Sequence, residues 1–329
     1  MKKIRIIGLM IILSLTFNHV FGQGDMENLI KGSISDANYL VKGYTAPVFK
    51  ALGSGLNQGW YNTAQNHKFP GADLTISVAM IGVPSSDKVF KVDNNTLQQI
   101  TLTSPTNLEV PTIFGKDVPP STYSLDADGT GNTTFSGPPG FDLPISRVPI
   151  PVANLGIGLP KGFDLKIRFI PNINLQDDLE LGLFGIGVMH DIKQYIPGIK
   201  TLPFDLAAFV GYTKFKSKVT LDAATNQTSE FDVSATTIQV LISKKMAVLT
   251  VYGGLGYDIS KGGLAMKGAY DFDDDGTTDA TNPIDFSVTT NSPRVTAGLR
   301  LKLGPITFHG DYTLQKYSAI TAGFGISVR

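Results

Sequence analysis

Between Phe163 and Phe169 the sequence reads Phe, Asp, Leu, Lys, Ile, Arg, Phe, a charged side chain at every second position of an otherwise apolar run. Successive side chains of a β-strand point to opposite faces, so such a segment has one greasy face and one wet face. The same period returns in Leu74, Ile76, Val78 and Met80, and in Val295, Ala297, Leu299, Leu301 and Leu303 set against Arg294, Thr296, Gly298, Arg300 and Lys302. It returns again from Ile306 to Leu314 and from Ile320 to Val328. Half-buried strands of a soluble sandwich also alternate, so strand length and loop asymmetry must decide. Lipid-spanning strands need about 9 to 11 residues and alternate short with long connections.

Ten segments meet that description, at residues 73–83, 143–159, 163–174, 179–188, 204–217, 231–244, 248–259, 286–303, 306–315 and 318–329. If the last strand ends in the periplasm, the tight turns at Gly304-Pro305 and Lys245-Met246 both fall on the periplasmic side. The longer loops around 218–230 and 260–285 then fall outside the cell, and residues 190–203 form a periplasmic helical turn. Residues 84–142 are rich in Pro, Asn, Gly and Thr, with candidate strands at 88–92 and 97–102. Further hairpins there would complete an all-β, transmembrane antiparallel β-barrel of about 12 to 14 strands with an N-terminal helical plug.

The first residues fix the compartment. Lys2, Lys3 and Arg5 precede an apolar stretch from Ile6 to Phe17, too short to span a bilayer but suited to a secretory signal peptide over 1–22. Export through a cleaved signal, together with strands patterned to face lipid, implies the outer membrane of a Gram-negative bacterium. Residues 23–70 are expected to be the plug, with apolar residues at helical spacing from Asp25 to Leu52, Pro47 kinking or ending the helix and Gly53, Gly55 and Gly59 dissolving it into a loop. Residues 71–329 are expected to form the barrel.

There is no Cys, which excludes a thiol-anchored lipoprotein, disulfides and thiolate metal sites. Loss of Lys2, Lys3 and Arg5 takes the 28 basic residues to 25 against 28 acidic ones, a net charge of −3 that suits no nucleic-acid binder. His67, His190 and His309 are scattered, and no hydrolase elbow, zincin motif or P-loop is present, so no catalytic or cofactor-binding residues are expected and the chain is read as no enzyme.

The sharpest local signal is Asp271, Asp273, Asp275 and Gly276, followed by Asp279. Carboxylates at alternate positions with a closing Gly match the first half of a calcium loop, but Asn282 stands where a bidentate Glu is expected. A Ca²⁺ site at Asp271, Asp273, Asp275 and Asp279 is thus set against a solvated acidic loop. Lys166, Arg168, Arg294, Arg300 and Lys302 would line the lumen, tuning a channel or pairing with Asp164, Asp311 or the helical segment.

Residues 55–64 (GLNQGWYNTA), 71–76 (GADLTI) and 190–198 (HDIKQYIPG) carry a resemblance to an uncharacterised family of Gram-negative outer-membrane proteins, itself similar to the FadL-like transporters of fatty acids and aromatic hydrocarbons. The resemblance implies an N-terminal plug in a barrel whose wall opens laterally to release a hydrophobic compound, with outer-membrane lipid as surroundings. The alternatives are a structural or adhesive surface barrel without transport, and a soluble periplasmic β-sandwich binding protein.

Overall fold

The computed structural model describes residues 33–126, 133–142, 147–175, 178–222, 225–271 and 276–328; the expected signal peptide and the expected start of the helix lie outside them. The chain enters through one helix, α1 (Ile34–Leu56), and the first barrel strand, β1 (Ala72–Gly82). An insertion follows with five short strands, β2 (Val89–Lys91), β3 (Ile100–Ser104), β4 (Glu109–Pro111), β5 (Thr122–Leu125) and β6 (Thr133–Ser136). Then come β7 (Arg147–Leu159), β8 (Phe163–Leu175), β9 (Leu179–Asp191), β10 (Asp205–Asp222), β11 (Gln227–Met246) and β12 (Leu249–Lys267). A small hairpin, β13 (Ala269–Tyr270) and β14 (Ala280–Thr281), precedes β15 (Asp285–Leu303), β16 (Ile306–Leu314) and β17 (Ala319–Val328).

β1, β7 to β12 and β15 to β17 close into an antiparallel up-and-down barrel, β1 pairing with β17 from Ala72↔Val328 to Ile81↔Ala319. The described barrel has ten strands, not the expected 12 to 14. The candidate strands of the insertion pair instead in two small sheets, β2 with β4 and β3 with β5 and β6. At three to five residues each they are too short to cross a membrane. All the tight turns read in the sequence lie at one end, here the short-turn end, with the chain terminus beside Ala72. The expected loops at the opposite, loop end are shorter than supposed, because β10, β11 and β12 run on for 18, 20 and 19 residues.

The faces are inverted relative to a soluble protein. Phe169, Leu255, Leu314 and Val328 are 68%, 64%, 60% and 63% exposed on the outside, while Asp164, Arg168, Thr313 and Thr321 are at most 1% exposed inside. A sandwich would bury the first set between sheets; here they form a continuous outward belt, as lipid requires. Tyr212, Tyr257 and Tyr312 stand on the same outward face, amphipathic rings suited to a membrane boundary.

α1 lies inside the barrel against β11, β12, β15, β1 and β7. Ser33 caps it, its Oγ accepting from Asp36 N at 3.1 Å. The helix neither ends at Pro47 nor dissolves at Gly53. Pro47 forfeits one backbone hydrogen bond, but the wall packing of Val48, Phe49, Leu52 and Leu56 holds the helix together. Gly53 and Gly55 stay helical because they touch the wall: a Cβ on Gly53 would stand 2.5 Å from Ser260 Cβ, and one on Gly55 would overlap Ile150.

Candidate functional site

The lumen has two storeys. Toward the loop end it is apolar, with Leu181, Leu183, Phe215, Val233, Leu264 and Phe286 buried around α1 and Phe49 stacked on Phe231 at 4.7 Å between ring centres. The helix enters from that end. The Asp36 carboxylate accepts backbone N–H groups of Gln98, Gln99 and Ile100 at 2.9 to 3.1 Å, and Asn38 bonds Pro283 O and Asp285 N. Tyr44 OH donates to Pro139 O at 2.9 Å, so the insertion covers the loop end and grips the helix. A second tie joins three elements at Asp87: Lys50 of α1 donates to its carboxylate at 3.0 Å and Tyr317, between β16 and β17, at 2.5 Å.

Toward the short-turn end the lumen is polar and filled by residues 57–67. Arg168 of β8 donates to Leu56 O, Gln58 O and Asn154 Oδ1, each at 2.5 Å, and its guanidinium lies 3.6 Å over the Trp60 ring. The planar fork of Arg suits such convergent acceptors, and stacking adds a cation–π contact. Arg294 of β15 donates to Asn57 O at 3.0 Å, to Gln58 Oε1 at 2.8 Å and to Asp258 at 3.2 Å. His67 Nδ1 meets Asp164 Oδ2 at 2.8 Å, with Lys166 and Asp73 3.7 Å apart beside it. Tyr61 OH donates to Gln239 at 2.5 Å, and the gap left among Trp60, His67, Lys166 and Arg300 is a cavity of about 10 Å³, room for roughly one water.

The charged lumen face was legible from the alternation, and Lys166, Arg168, Arg294 and Arg300 are all buried there. Their partners differ in part from those expected: Asp164 serves His67, and Asp311 accepts from Tyr252 OH at 2.8 Å. Asn57, Gln58, Asn154 and Asp258 were missed; nothing in the local pattern marks them, because each acts through a residue far away in the chain. Of the expected calcium ligands, Asp273 and Asp275 lie outside the described residues. Asp271 Oδ2 accepts Gly276 N at 2.8 Å, and Asp279 N donates to Tyr270 O at 2.9 Å across the β13–β14 hairpin.

The wall itself carries a defect. β7 and β8 pair over only five rungs, Leu155↔Ile167 to Leu159↔Phe163, leaving the loop-end half of each strand without a partner on that side. Continuing the register would set Pro151 opposite Pro171 and Ala153 opposite Phe169. Prolines have no N–H to give a ladder and belong on strand edges. The β7 ladder with β1 is unbroken from Ala72↔Ile157 to Gly82↔Arg147, so the donor-less side of Pro149 and Pro151 is the side facing β8. On β8 a register shift falls between Ile170 and Ile173, and the alternation stops, with Phe169, Ile170, Pro171 and Asn172 all exposed. Arg168 and Asn154 stand at the foot of this seam. Behind it, the β7 side chains Ile150 and Val152 rest on Gly55 and Gly59.

Residues 1–328 match the model of a family described as a family of unknown function, DUF6588. The chain belongs to that family. No curated protein matches it. Among solved structures it is similar to Ail, the attachment invasion locus protein of Yersinia pestis, with 9% identity over 79% of this chain and 100% of that one and a TM-score of 0.29. It is likewise similar to the translocator domain of autotransporter NalP from Neisseria meningitidis, with 10% identity over 90% of this chain and 98% of that one and a TM-score of 0.29. The Ralstonia pickettii toluene transporter TbuX gives 9% identity over 86% of this chain and 97% of that one, with a TM-score of 0.18. The family motifs quoted from the sequence fall at the luminal segment, the start of β1 and the connection after β9.

Proposed function

We propose that this DUF6588 protein conducts a small hydrophobic compound, of the fatty-acid or hydrocarbon type, passively across the outer membrane, releasing it sideways between β7 and β8. The observation that carries this reading is the unpaired seam. An axial water path is blocked by residues 57–67, whereas at the seam only the packing of Ile150 and Val152 on Gly55 and Gly59 separates the apolar storey from the outward belt. A solute that needs no hydration pays nothing to pass from one apolar surface to another, and a sugar or ion would have to shed its water. The loop end faces the cell exterior in this reading, with the short turns in the periplasm.

One observation favours a surface barrel without transport: the polar storey is packed to a cavity of about 10 Å³, so conduction requires α1 or the wall to move. Proteoliposomes separate the two. Transport predicts that the protein accelerates entry of an alkane or fatty-acid probe and leaves a monosaccharide at the protein-free rate; a structural barrel accelerates neither.

A further inference from the structure

The outer wall over β9 to β12 carries a second arrangement, independent of transport. Ala208 of β10 is the small member of an outward cluster with Val188, Val210, Ile238, Leu255 and Tyr257, and the dent it leaves is an open apolar groove of about 540 Å³. Following β10 toward the loop end, the outward positions after Val210 are Tyr212 and then Lys214, about 13 Å from Val210 at 3.3 Å per residue. Pairing places Lys214 level with Ser234, and Ser234 level with Lys261 of β12. The two lysines stand two strands apart, about 10 Å, within reach of one anion through their flexible stems. Neither is in an ion pair among the described residues. Lys216, one row higher, is level with Asp232 on β11, so its charge is offset.

An apolar trough capped by two unpaired cations at the edge of the outward belt matches an amphiphile: acyl chain below, phosphate above. We propose that this wall binds one lipid bearing a phosphomonoester headgroup, its chain in the groove beside Ala208 and its phosphate between Lys214 and Lys261. The site needs only the belt to lie in lipid, and does not depend on the seam conducting.

Native mass spectrometry of the full-length protein in detergent tests this with three probes: a diphosphorylated glucosamine lipid, a diacylglycerol of equal chain length, and inorganic phosphate. The wild type is expected to retain one phosphorylated lipid and neither of the others. Lys214→Gln with Lys261→Gln should weaken retention about tenfold, as should Ala208→Trp, which fills the groove and leaves the charges. Lys244→Gln with Lys245→Gln, at the short-turn end, should leave it unchanged. Equal retention of the diacylglycerol, undiminished retention in the lysine variant, or equal binding of inorganic phosphate would each overturn the proposal. Heat-modifiable gel mobility reports that every variant has folded.

Discussion

Arg168 bonds the luminal segment to the foot of the seam, its one side chain reaching the end of α1, the segment after it and Asn154 of β7. Replacing it by Ala leaves Leu56 O, Gln58 O and Asn154 Oδ1 facing a void, and breaking such a buried charged network costs about 3 kcal/mol or more. The temperature at which the barrel loses its fast gel mobility should fall, and Arg168→Lys should restore little, since a point ammonium cannot match the planar fork that serves these three acceptors and stacks on Trp60. Asp87 offers a pH test. Burial pushes its carboxyl up, but the hydrogen bonds from Tyr317 and Lys50 and the Lys50 and Lys316 charges outweigh burial and hold it below its ordinary value of 3.8. A carboxylate depressed in the folded state stabilises it above the unfolded value and stops doing so as pH falls through the folded one. The tie from α1 to the insertion should therefore hold at neutral pH and loosen from about pH 4 downward. Thermal unfolding followed by far-UV circular dichroism should show a lower midpoint below about pH 4 than at neutral pH, and Asp87→Asn should lower the neutral-pH midpoint and shrink that difference. At this scale the alternation told which charges face inward, since Lys166 and Arg168 sit at wet positions of a greasy strand. It could not tell what they bind, because Arg168 serves backbone carbonyls more than 100 residues away in the chain.

Among elements, the barrel strands were readable because each spans enough residues for the period of two to declare itself. The candidate strands at 88–92 and 97–102, here β2 and β3, were expected to belong to hairpins of the barrel because short β-rich runs look alike whether they cross a membrane or cover a helix. α1 overran its expected end because Pro47, Gly53 and Gly55 read as breakers locally, while the surrounding wall supplies the packing that overrides them. The seam was not anticipated, although its signal was present: Pro149, Pro151 and Pro171 sit inside two segments read as strands, and proline in a strand marks an edge. Restoring the donors tests that account. Pro151→Val with Pro171→Val should allow the ladder to extend past Leu155↔Ile167, each added backbone hydrogen bond contributing about 1 kcal/mol, so amide exchange of β7 and β8 should slow while hydrophobic uptake falls. Unchanged exchange would mean the prolines are not what keeps the strands apart.

For the whole molecule, the inverted faces, the luminal helix and the seam make one arrangement: a barrel filled along its axis and joined at one place in its wall by side-chain packing instead of a backbone ladder. The outward belt needs a bilayer, the polar storey fixes the luminal segment, and Ile150 and Val152 stand between the apolar storey and the outward face where the β7–β8 ladder stops. The absence of any native Cys makes the decisive measurement clean. Ala153→Cys and Phe169→Cys place a pair of thiols at the first outward-facing positions beyond the last paired rung of the two strands. Uptake of a hydrophobic probe into proteoliposomes should drop to the protein-free rate once a gel shift reports the disulfide, and recover on reduction. Uptake that continues undiminished with the seam cross-linked would contradict lateral release and send the solute, if it moves at all, along the axis.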